Sequence, residues 1–309
     1  MPHHVVYAVD EDYWMPLYVS IHSLLANNRD LSLRVFVLYA ERDETFFDNV
    51  EYLEAVHDDC SVEGIRVGRE HFQDAPTPHW FTEANLYRFL IGSVLPLEDE
   101  NVLYLDCDTV VDGSLAELFA MDIDDVVAAA TPEYKLRSFE LGFPLDSLFH
   151  NAGVMYINLD QWRAHEVGPT VLDRIDGRRD VTFPVQEVLN PVLDERDLWR
   201  ALHPKYNAMT NWAGVLERET DIEPVVVHYT GRSKPWQYTT DRLHTDLWWE
   251  YLEETPYSGY QPPDRTVTNR LVRARRTAVS RSKAFVSARL EPYPRVYGAV
   301  ARVYRVLRG

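Results

Sequence analysis

Cysteine is scarce in this sequence, and long apolar runs are absent from it. The 309 residues include two cysteines, Cys60 and Cys107, too few for a disulfide framework, so a reducing, cytoplasmic setting is expected. No apolar run approaches the roughly 20 residues of a membrane-spanning helix. The N-terminus also lacks the basic region and cleavage site of a signal peptide. With 46% hydrophobic and 12% aromatic residues, the composition nevertheless favours a folded core over disorder.

Basic residues are scarce over most of the chain and concentrated at its end. The net charge is −18, but residues 262–309 carry 12 arginines and lysines against 2 acids, whereas residues 1–261 carry 19 basic and 47 acidic residues. An acidic body repels phosphate backbones, which argues against nucleic-acid binding. Pro262-Pro263 marks the change of charge. We therefore expect a folded domain over 1–261 and a basic tail over 262–309.

Short apolar runs alternate with helical patterns over the first 130 residues. This alternation predicts an α/β domain with a mainly parallel sheet, whose ligands bind at the carboxyl ends of strands. The predicted strands cover 5–9, 34–38, 61–66, 102–105, 126–130, 153–158 and 225–227. The predicted helices cover 15–25, 45–57 with Thr45 as its cap, 83–91 and 184–193.

The predicted strand 102–105 ends in two acids, Asp106 and Asp108. Side chains at positions i and i+2 of an extended chain point the same way. Two carboxylates on one side are both ionised at little cost only when a cation lies between them, and Mg²⁺ and Mn²⁺ suit such ligands. The alternative is an ordinary turn with solvated acids.

Three further motifs carry groups that a ligand site needs. His228 ends the last predicted strand, and Gly231 and Lys234 follow it in a segment suited to phosphate. Asn151 precedes a small-residue run, and Gln186 begins a predicted helix. Each motif alone also fits a structural role: a buried histidine, a turn into a strand, or a solvated helix start.

In their joint order, these motifs resemble glycosyltransferase family eight, which includes glycogenin and bacterial lipopolysaccharide galactosyl- and glucosyltransferases. The resemblance covers about residues 3–250. It implies the GT-A fold, in which a Rossmann-like nucleotide-binding half is fused to an acceptor-binding half. It also implies transfer of a hexose from a UDP-sugar to a glycan or lipid-linked acceptor, with retention at the anomeric carbon and with Mn²⁺ (or Mg²⁺).

The resemblance also implies roles for individual residues. Gln186, beside the anomeric carbon, and Arg88, near the diphosphate, are the implied catalytic residues, and Tyr13 stacks on the base. The implied metal ligands are Asp106, Asp108 and His228. The implied nucleotide-sugar contacts are Ala8, Asp10, Asp12, Tyr13, Arg88, Cys107, Asn151, Ala152, Gln186, Gly231 and Lys234.

Two positions depart from the family pattern. Val185 stands where the family usually has an acid that contacts the donor sugar, and His150 stands where it usually has phenylalanine. The sugar identity is therefore not transferred. A catalytically weak sugar-nucleotide-binding or scaffold protein is the alternative. A nucleotidyltransferase would need a glycine- and lysine-rich N-terminal loop, and residues 10–13 do not form one.

The tail carries its own pattern. Apolar residues between 294 and 308 follow helical spacing, and Arg295, Arg302, Arg305 and Arg308 flank them. A basic amphipathic helix of this kind indicates binding to anionic lipid at the inner face of the cell membrane. The alternative is a structural helix that folds back on the acidic body.

Overall fold

In the described part of this computed structural model, ten strands form two sheets. The structure describes residues 1–68, 84–98, 100–132, 149–176, 184–210, 222–240 and 242–274. The strands are β1 (His3–Val9), β2 (Leu33–Tyr39), β3 (Cys60–Arg66), β4 (Asn101–Leu105), β5 (Thr109–Val111), β6 (Ala128–Pro132), β7 (His150–Asn158), β8 (Trp199–Ala201), β9 (Ala208–Met209) and β10 (Val226–His228). The predicted tail helix at 294–308 lies outside the described residues.

The larger sheet has the strand order β3-β2-β1-β4-β7-β6-β8. Its first four strands are mutually parallel, β6 and β8 are parallel, and β7 runs antiparallel to both β4 and β6. This topology confirms the predicted mostly parallel sheet. The order reverses between β1 and β4, so the edge of the sheet at their carboxyl ends is where ligands are expected.

The structure contains several helices that were not predicted, and it divides one that was. The predicted helix over 45–57 is two shorter helices, and its cap is Asp43, whose carboxylate accepts the Phe46 amide hydrogen over 2.7 Å. The helices are α1 (Trp14–Asn27), α2 (Glu44–Asp48), α3 (Val50–Glu54), α4 (Ala84–Tyr87), α5 (Ile91–Val94), α6 (Ala116–Phe119), α7 (Leu159–Ala164), α8 (Val167–Asp176), α9 (Pro184–Asp194) and α10 (Thr245–Glu253), with 3₁₀ turns at Arg88–Leu90 and Pro204–Tyr206. No described helix has the length and apolarity needed to cross a membrane.

Both faces of the large sheet are buried under helices. Side chains alternate along a strand, so Val6 and Ala8 of β1 join one core cluster while Val5, Tyr7 and Val9 join the other. Helix α1 packs on the second face, and helices α7, α8 and α9 contribute to the cluster on the first. This double coverage explains why β1 reads as a continuous apolar run rather than an alternating one.

The smaller sheet positions one polar residue next to the large sheet. Strand β10 lies between β5, to which it is antiparallel, and β9, to which it is parallel. The register places His228 opposite Thr109 and beside Met209. Because Thr109 immediately follows Asp108, this pairing brings the end of β10 to the acids that follow β4.

The cap of α2 gives a direct stability test. Replacing Asp43 by alanine removes the acceptor for the Phe46 amide and should lower the free energy of unfolding by about 1 kcal/mol. The exposed residue Thr45 provides the control. Thr45→Ala should change the free energy of unfolding by less than about 0.5 kcal/mol. Urea denaturation measures the free energy of unfolding of both variants. An equal decrease in the two variants would contradict the assignment of Asp43 as the cap.

Candidate active site

An open cleft of about 520 Å³ lies where the strand order of the large sheet reverses. Strands β1 and β4 are parallel neighbours with Tyr7 opposite Leu105. Asp10, which follows β1, and Asp106, which follows β4, therefore lie at the same edge, and both line the cleft. The ligand position expected for an open α/β sheet is thus an acidic cleft.

Asp106 is held through one of its two carboxylate oxygens. Arg88 Nη2 donates to Oδ1 over 2.9 Å, and the Tyr104 hydroxyl donates to the same atom over 2.8 Å. Arg88 also donates to the Ala152 carbonyl oxygen over 2.7 Å. Burial opposes the charge of Arg88, but Asp106, Tyr104 and Asp108 together outweigh it and raise the pKa of the guanidinium. The second oxygen, Oδ2, lies 3.7 Å from His228 Nε2.

Asp108 is held in a similar way. Lys234 donates its ammonium to Asp108 Oδ2 and, over 3.1 Å, to the Tyr229 carbonyl oxygen. Asp108 Oδ1 lies 3.3 Å from His228 Nε2. Burial opposes ionisation of this carboxyl, but the Lys234 ammonium, together with the His228 ring when it is protonated, outweighs burial and holds the pKa of Asp108 well below its usual range. Asp108 is therefore a carboxylate at neutral pH.

Asp106, Asp108 and His228 together form a donor set for a metal ion. One ligand atom from each of the three lies within 4.8 Å of the other two, and no comparable group occurs elsewhere in the described part of the chain. Carboxylate oxygens suit Mg²⁺ and Mn²⁺, whereas imidazole suits transition metals, so the mixed set fits Mn²⁺ better than Mg²⁺. The residues present therefore fit the implied metal.

Gly153 leaves the space in which this donor set assembles. A Cβ at this position would lie 2.2 Å from His228 Cε1 and 2.7 Å from Asp106 Oδ2. Real Cβ contacts are not that short, so any other residue would displace the ring or the carboxylate. Gly153 lies on β7, the antiparallel neighbour of β4. The donor set thus depends on close approach of the β7 backbone.

Nearly all of the predicted nucleotide-sugar residues line the cleft, although their contacts with a ligand stay predictions. Asp12 does not: its side chain is exposed, and its amide donates to Asp10 Oδ1 over 3.2 Å. The predicted residues on the cleft wall are Ala8, Asp10, Tyr13, Arg88, Cys107, Asn151, Ala152, Gln186, Gly231 and Lys234.

Gly231 and Tyr13 define the rim of the cleft near Lys234. Gly231 has a φ of +84°, in the left-handed region that favours glycine. The Tyr13 ring contacts the edge of Trp236 at a centroid distance of 5.5 Å, and Lys234 Nζ lies 5.9 Å from the Tyr13 centroid. An aromatic ring and an ammonium therefore lie side by side at this rim.

The first turn of α9 forms the opposite wall. Gln186 Nε2 donates to the His150 carbonyl oxygen over 3.4 Å. Val185 is only 7% exposed and belongs to the core cluster of α7, α8 and α9 while also lining the cleft. Where the family usually presents a carboxylate, this chain therefore presents an apolar wall.

Several cleft residues were not predicted from the sequence. Tyr104 and Asn85 could have been found, since Tyr104 precedes Asp106 by two positions on one strand and Asn85 precedes Arg88 by one helical turn. No local pattern points to Asn207, which lies in a turn between the 3₁₀ segment Pro204–Tyr206 and β9. The unpredicted residues in or behind the wall are Ala84, Asn85, Tyr104, Gly153, Thr230, Arg242 and Asn207.

Comparison with known proteins agrees with this geometry. The model of Glycosyl transferase family 8 matches residues 4–240, which is most of the chain. The chain belongs to glycosyl transferase family 8. The resemblance stated from the motifs is therefore confirmed, and the matched segment contains every residue of the donor set and of the cleft wall except Arg242.

Individual relatives of this family cover most of the chain. It is 29% identical over 258 residues to glycosyltransferase GlyF of Streptococcus pneumoniae serotype 4, covering 81% of this chain and 61% of GlyF. It is 26% identical to the lipopolysaccharide 1,2-glucosyltransferase of Escherichia coli K12, covering 84% and 80% of the two chains. This chain thus spans only about three fifths of GlyF.

The fold also matches a solved structure of this family. The crystal structure of the galactosyltransferase LgtC in complex with donor and acceptor sugar analogues superposes with a TM-score of 0.70 at 25% identity, covering 84% of this chain and 98% of LgtC. The predicted GT-A fold is confirmed by this likeness together with the mixed sheet.

Gly153 gives a test of how the donor set assembles. In Gly153→Ala the new methyl group should displace the His228 ring, so we expect Mn²⁺ to lose its stabilising effect on thermal unfolding. The overpacking itself should cost about 1–3 kcal/mol. Gly113→Ala is the control, since its Cβ would contact Val225 at an ordinary 3.5 Å. Undiminished stabilisation of Gly153→Ala by Mn²⁺ would contradict this account of the donor set.

Proposed function

We propose that this chain is a retaining, metal-dependent glycosyltransferase that moves a hexose from a UDP-sugar to a glycan or lipid-linked acceptor. The observation that carries the proposal is the donor set of Asp106, Asp108 and His228 at the base of a cleft that also presents Lys234 and Arg88. Membership of the family supports transfer of a glycosyl group. Beyond this family membership, we propose that the enzyme depends on a metal, uses a UDP-sugar and retains the anomeric configuration.

The charges of the cleft support a diphosphate-bearing donor. Asp106 and Asp108 are balanced by the two cationic side chains that they contact, Arg88 and Lys234. The charges of Asp10 and Arg242, which also line the cleft, cancel each other. A divalent ion bound to the donor set would therefore leave two positive charges in excess, which complements a nucleoside diphosphate. When bound, the ion supplies Lewis-acid stabilisation of the negative charge that grows on the leaving diphosphate.

The protein's own groups would orient the donor and stabilise its charges. Lys234 would hold the diphosphate as a compact cation, and Gly231 would let the backbone approach it. Tyr13 would stack on the base, next to the backbone at Ala8 and Asp10. The rim formed by Gly231, Lys234 and Tyr13 supports this arrangement.

On the opposite wall, Gln186 would stabilise the sugar. As the bond to the diphosphate breaks, positive charge grows on the sugar, and the amide oxygen of Gln186 would face it. The amide nitrogen of Gln186 donates to the His150 carbonyl oxygen over 3.4 Å, which holds the side chain at this wall. The acceptor hydroxyl would enter on the side of the leaving diphosphate, so that configuration is retained.

Val185 favours a second function of a different class. The apolar wall replaces a carboxylate that family members use on the donor sugar, which supports a protein that binds a sugar nucleotide but turns it over weakly. Binding without turnover on any acceptor would establish this alternative.

The donor set provides the main test of the proposed function. The double variant Asp106→Ala/Asp108→Ala should lower UDP-sugar turnover with Mn²⁺ by about 100-fold or more, because both carboxylate ligands are lost. Asp124→Ala, on an exposed residue away from the cleft, is the matched control and should retain activity. A panel of UDP-sugars followed by UDP release measures the effect. Turnover that is independent of metal and of both aspartates would exclude this function.

We also propose that the basic tail attaches the enzyme to anionic lipid at the inner face of the cell membrane. Its 12 basic residues against 2 acids support the proposal. Asp264, near the start of the tail, accepts hydrogen bonds from the amides of Tyr238 at 2.8 Å and Thr239 at 3.3 Å. Arg273 Cζ also lies 4.9 Å from the centroid of the Tyr238 ring. A truncation that keeps both contacts therefore begins after residue 274.

Vesicle binding tests the tail. Deletion of residues 275–309 should abolish binding to phosphatidylserine vesicles, and Arg302→Gln/Arg305→Gln/Arg308→Gln should weaken it about 100-fold, at about 1 kcal/mol per charge. Neutral vesicles are the reference, and UDP-sugar binding should be unaffected. Equal vesicle binding by the truncated chain would instead support a tail that packs on the acidic body.

A further inference from the structure

Asn207 connects the proposed metal ligand His228 to the proposed sugar contact Asn151. Its side chain is fully buried and lies behind both residues. Asn207 Oδ1 lies 2.9 Å from His228 Nδ1, and Asn207 Nδ2 lies 2.9 Å from Asn151 Oδ1. The two ends of the buried amide therefore contact two different residues. These residues lie on different strands, and both would meet the donor.

The direction of these hydrogen bonds follows from one backbone amide. Gly153 N–H is necessarily a donor, and it lies 3.0 Å from Asn151 Oδ1, which must therefore be the acceptor oxygen. The atom of Asn207 that faces Asn151 Oδ1 must then be the NH₂ group. Its oxygen consequently faces His228 Nδ1, and this ring nitrogen must carry a hydrogen.

The tautomer of His228 is the consequence. A neutral imidazole with its hydrogen on Nδ1 has its lone pair on Nε2. That atom faces Asp108 Oδ1 at 3.3 Å and Asp106 Oδ2 at 3.7 Å. A cation bound between this lone pair and the two carboxylates would stabilise the arrangement.

We propose that Asn207 is a positioning residue that holds His228 in the Nδ1–H tautomer for metal binding and, through the same amide, fixes the orientation of Asn151 toward the donor sugar. The inference rests on the proposed function for the metal and the sugar, but its statement about the tautomer does not. The side chain of Asn207 is not among those that line the cleft, so it would act only through its two neighbours.

Two substitutions separate the two contacts. Asn207→Leu has nearly the same shape and removes both the acceptor for His228 and the donor to Asn151. Asn207→Asp keeps an acceptor for His228 Nδ1–H but replaces the donor that faces Asn151 by a second acceptor. Leucine should therefore impair metal binding and sugar orientation together, whereas aspartate should impair mainly the sugar.

Nitrogen-15 NMR of the metal-free full-length protein reads the tautomer directly. Protonated and lone-pair-bearing ring nitrogens resonate far apart, and the His228 signals are assigned by their loss in His228→Gln. Wild type and Asn207→Asp should show a hydrogen on Nδ1, and Asn207→Leu should show a mixture of the two tautomers. A wild-type ring with its hydrogen on Nε2 and none on Nδ1 would overturn the proposal, as would an unchanged Nδ1–H signal in Asn207→Leu.

Mn²⁺ binding without any donor provides the second readout. Free Mn²⁺ measured by electron paramagnetic resonance should show about 10- to 100-fold weaker binding for Asn207→Leu and little change for Asn207→Asp. With a turned-over UDP-sugar, Asn207→Asp should lower kcat with little change in metal affinity. Equal metal affinity in wild type and Asn207→Leu would overturn the positioning role.

Asn28→Leu is the matched control for loss of a buried amide. Asn28 is also fully buried, accepts the Leu115 amide hydrogen at 2.7 Å and donates to the Leu24 carbonyl oxygen at 2.9 Å. This variant should lose stability without a change in the His228 tautomer or in Mn²⁺ affinity. If the wild type binds no Mn²⁺, the metal-dependent function fails, while the NMR result still decides the tautomer separately.

Discussion

Two carboxylates one residue apart at the end of β4 place a concentrated negative charge in the cleft, and the surrounding site is arranged around it. Asp106 and Asp108 each give one oxygen to a buried cation, Arg88 and Lys234 respectively, and turn the other toward His228. Like charges this close need opposite charge nearby. The cationic partners stabilise the protein without a ligand, and they leave one oxygen of each acid for a metal.

The two sheets meet at this charge. The large sheet provides the acids and the Gly153 backbone, while the small sheet provides His228 through its pairing with β5. Because a Cβ at Gly153 would lie 2.2 Å from the His228 ring, the two sheets approach as closely as a glycine permits. The geometry of the site is therefore a property of how the sheets pack.

The wall opposite the acids is where this chain departs from its family. Val185 is shared between the core and the cleft, so its apolar side chain both packs under α9 and lines the cleft. His150, the other departure, stacks on Trp199 at a centroid distance of 4.7 Å and presents its carbonyl oxygen to Gln186. Both changes alter the side of the cleft assigned to the donor sugar rather than the side assigned to the diphosphate.

The sequence by itself determined the α/β class, the strand-end acids and the family, because apolar runs and the order of the motifs are properties of the linear sequence. It could not determine that the helix predicted over 45–57 begins after the Asp43 cap, two residues before Thr45, or that it is divided at Asn49. Only the tertiary structure decided that Gly153 makes room for His228 and that Asn207 joins His228 to Asn151. These contacts join residues far apart in sequence, and their distances and hydrogen-bond directions follow from strand pairing and packing.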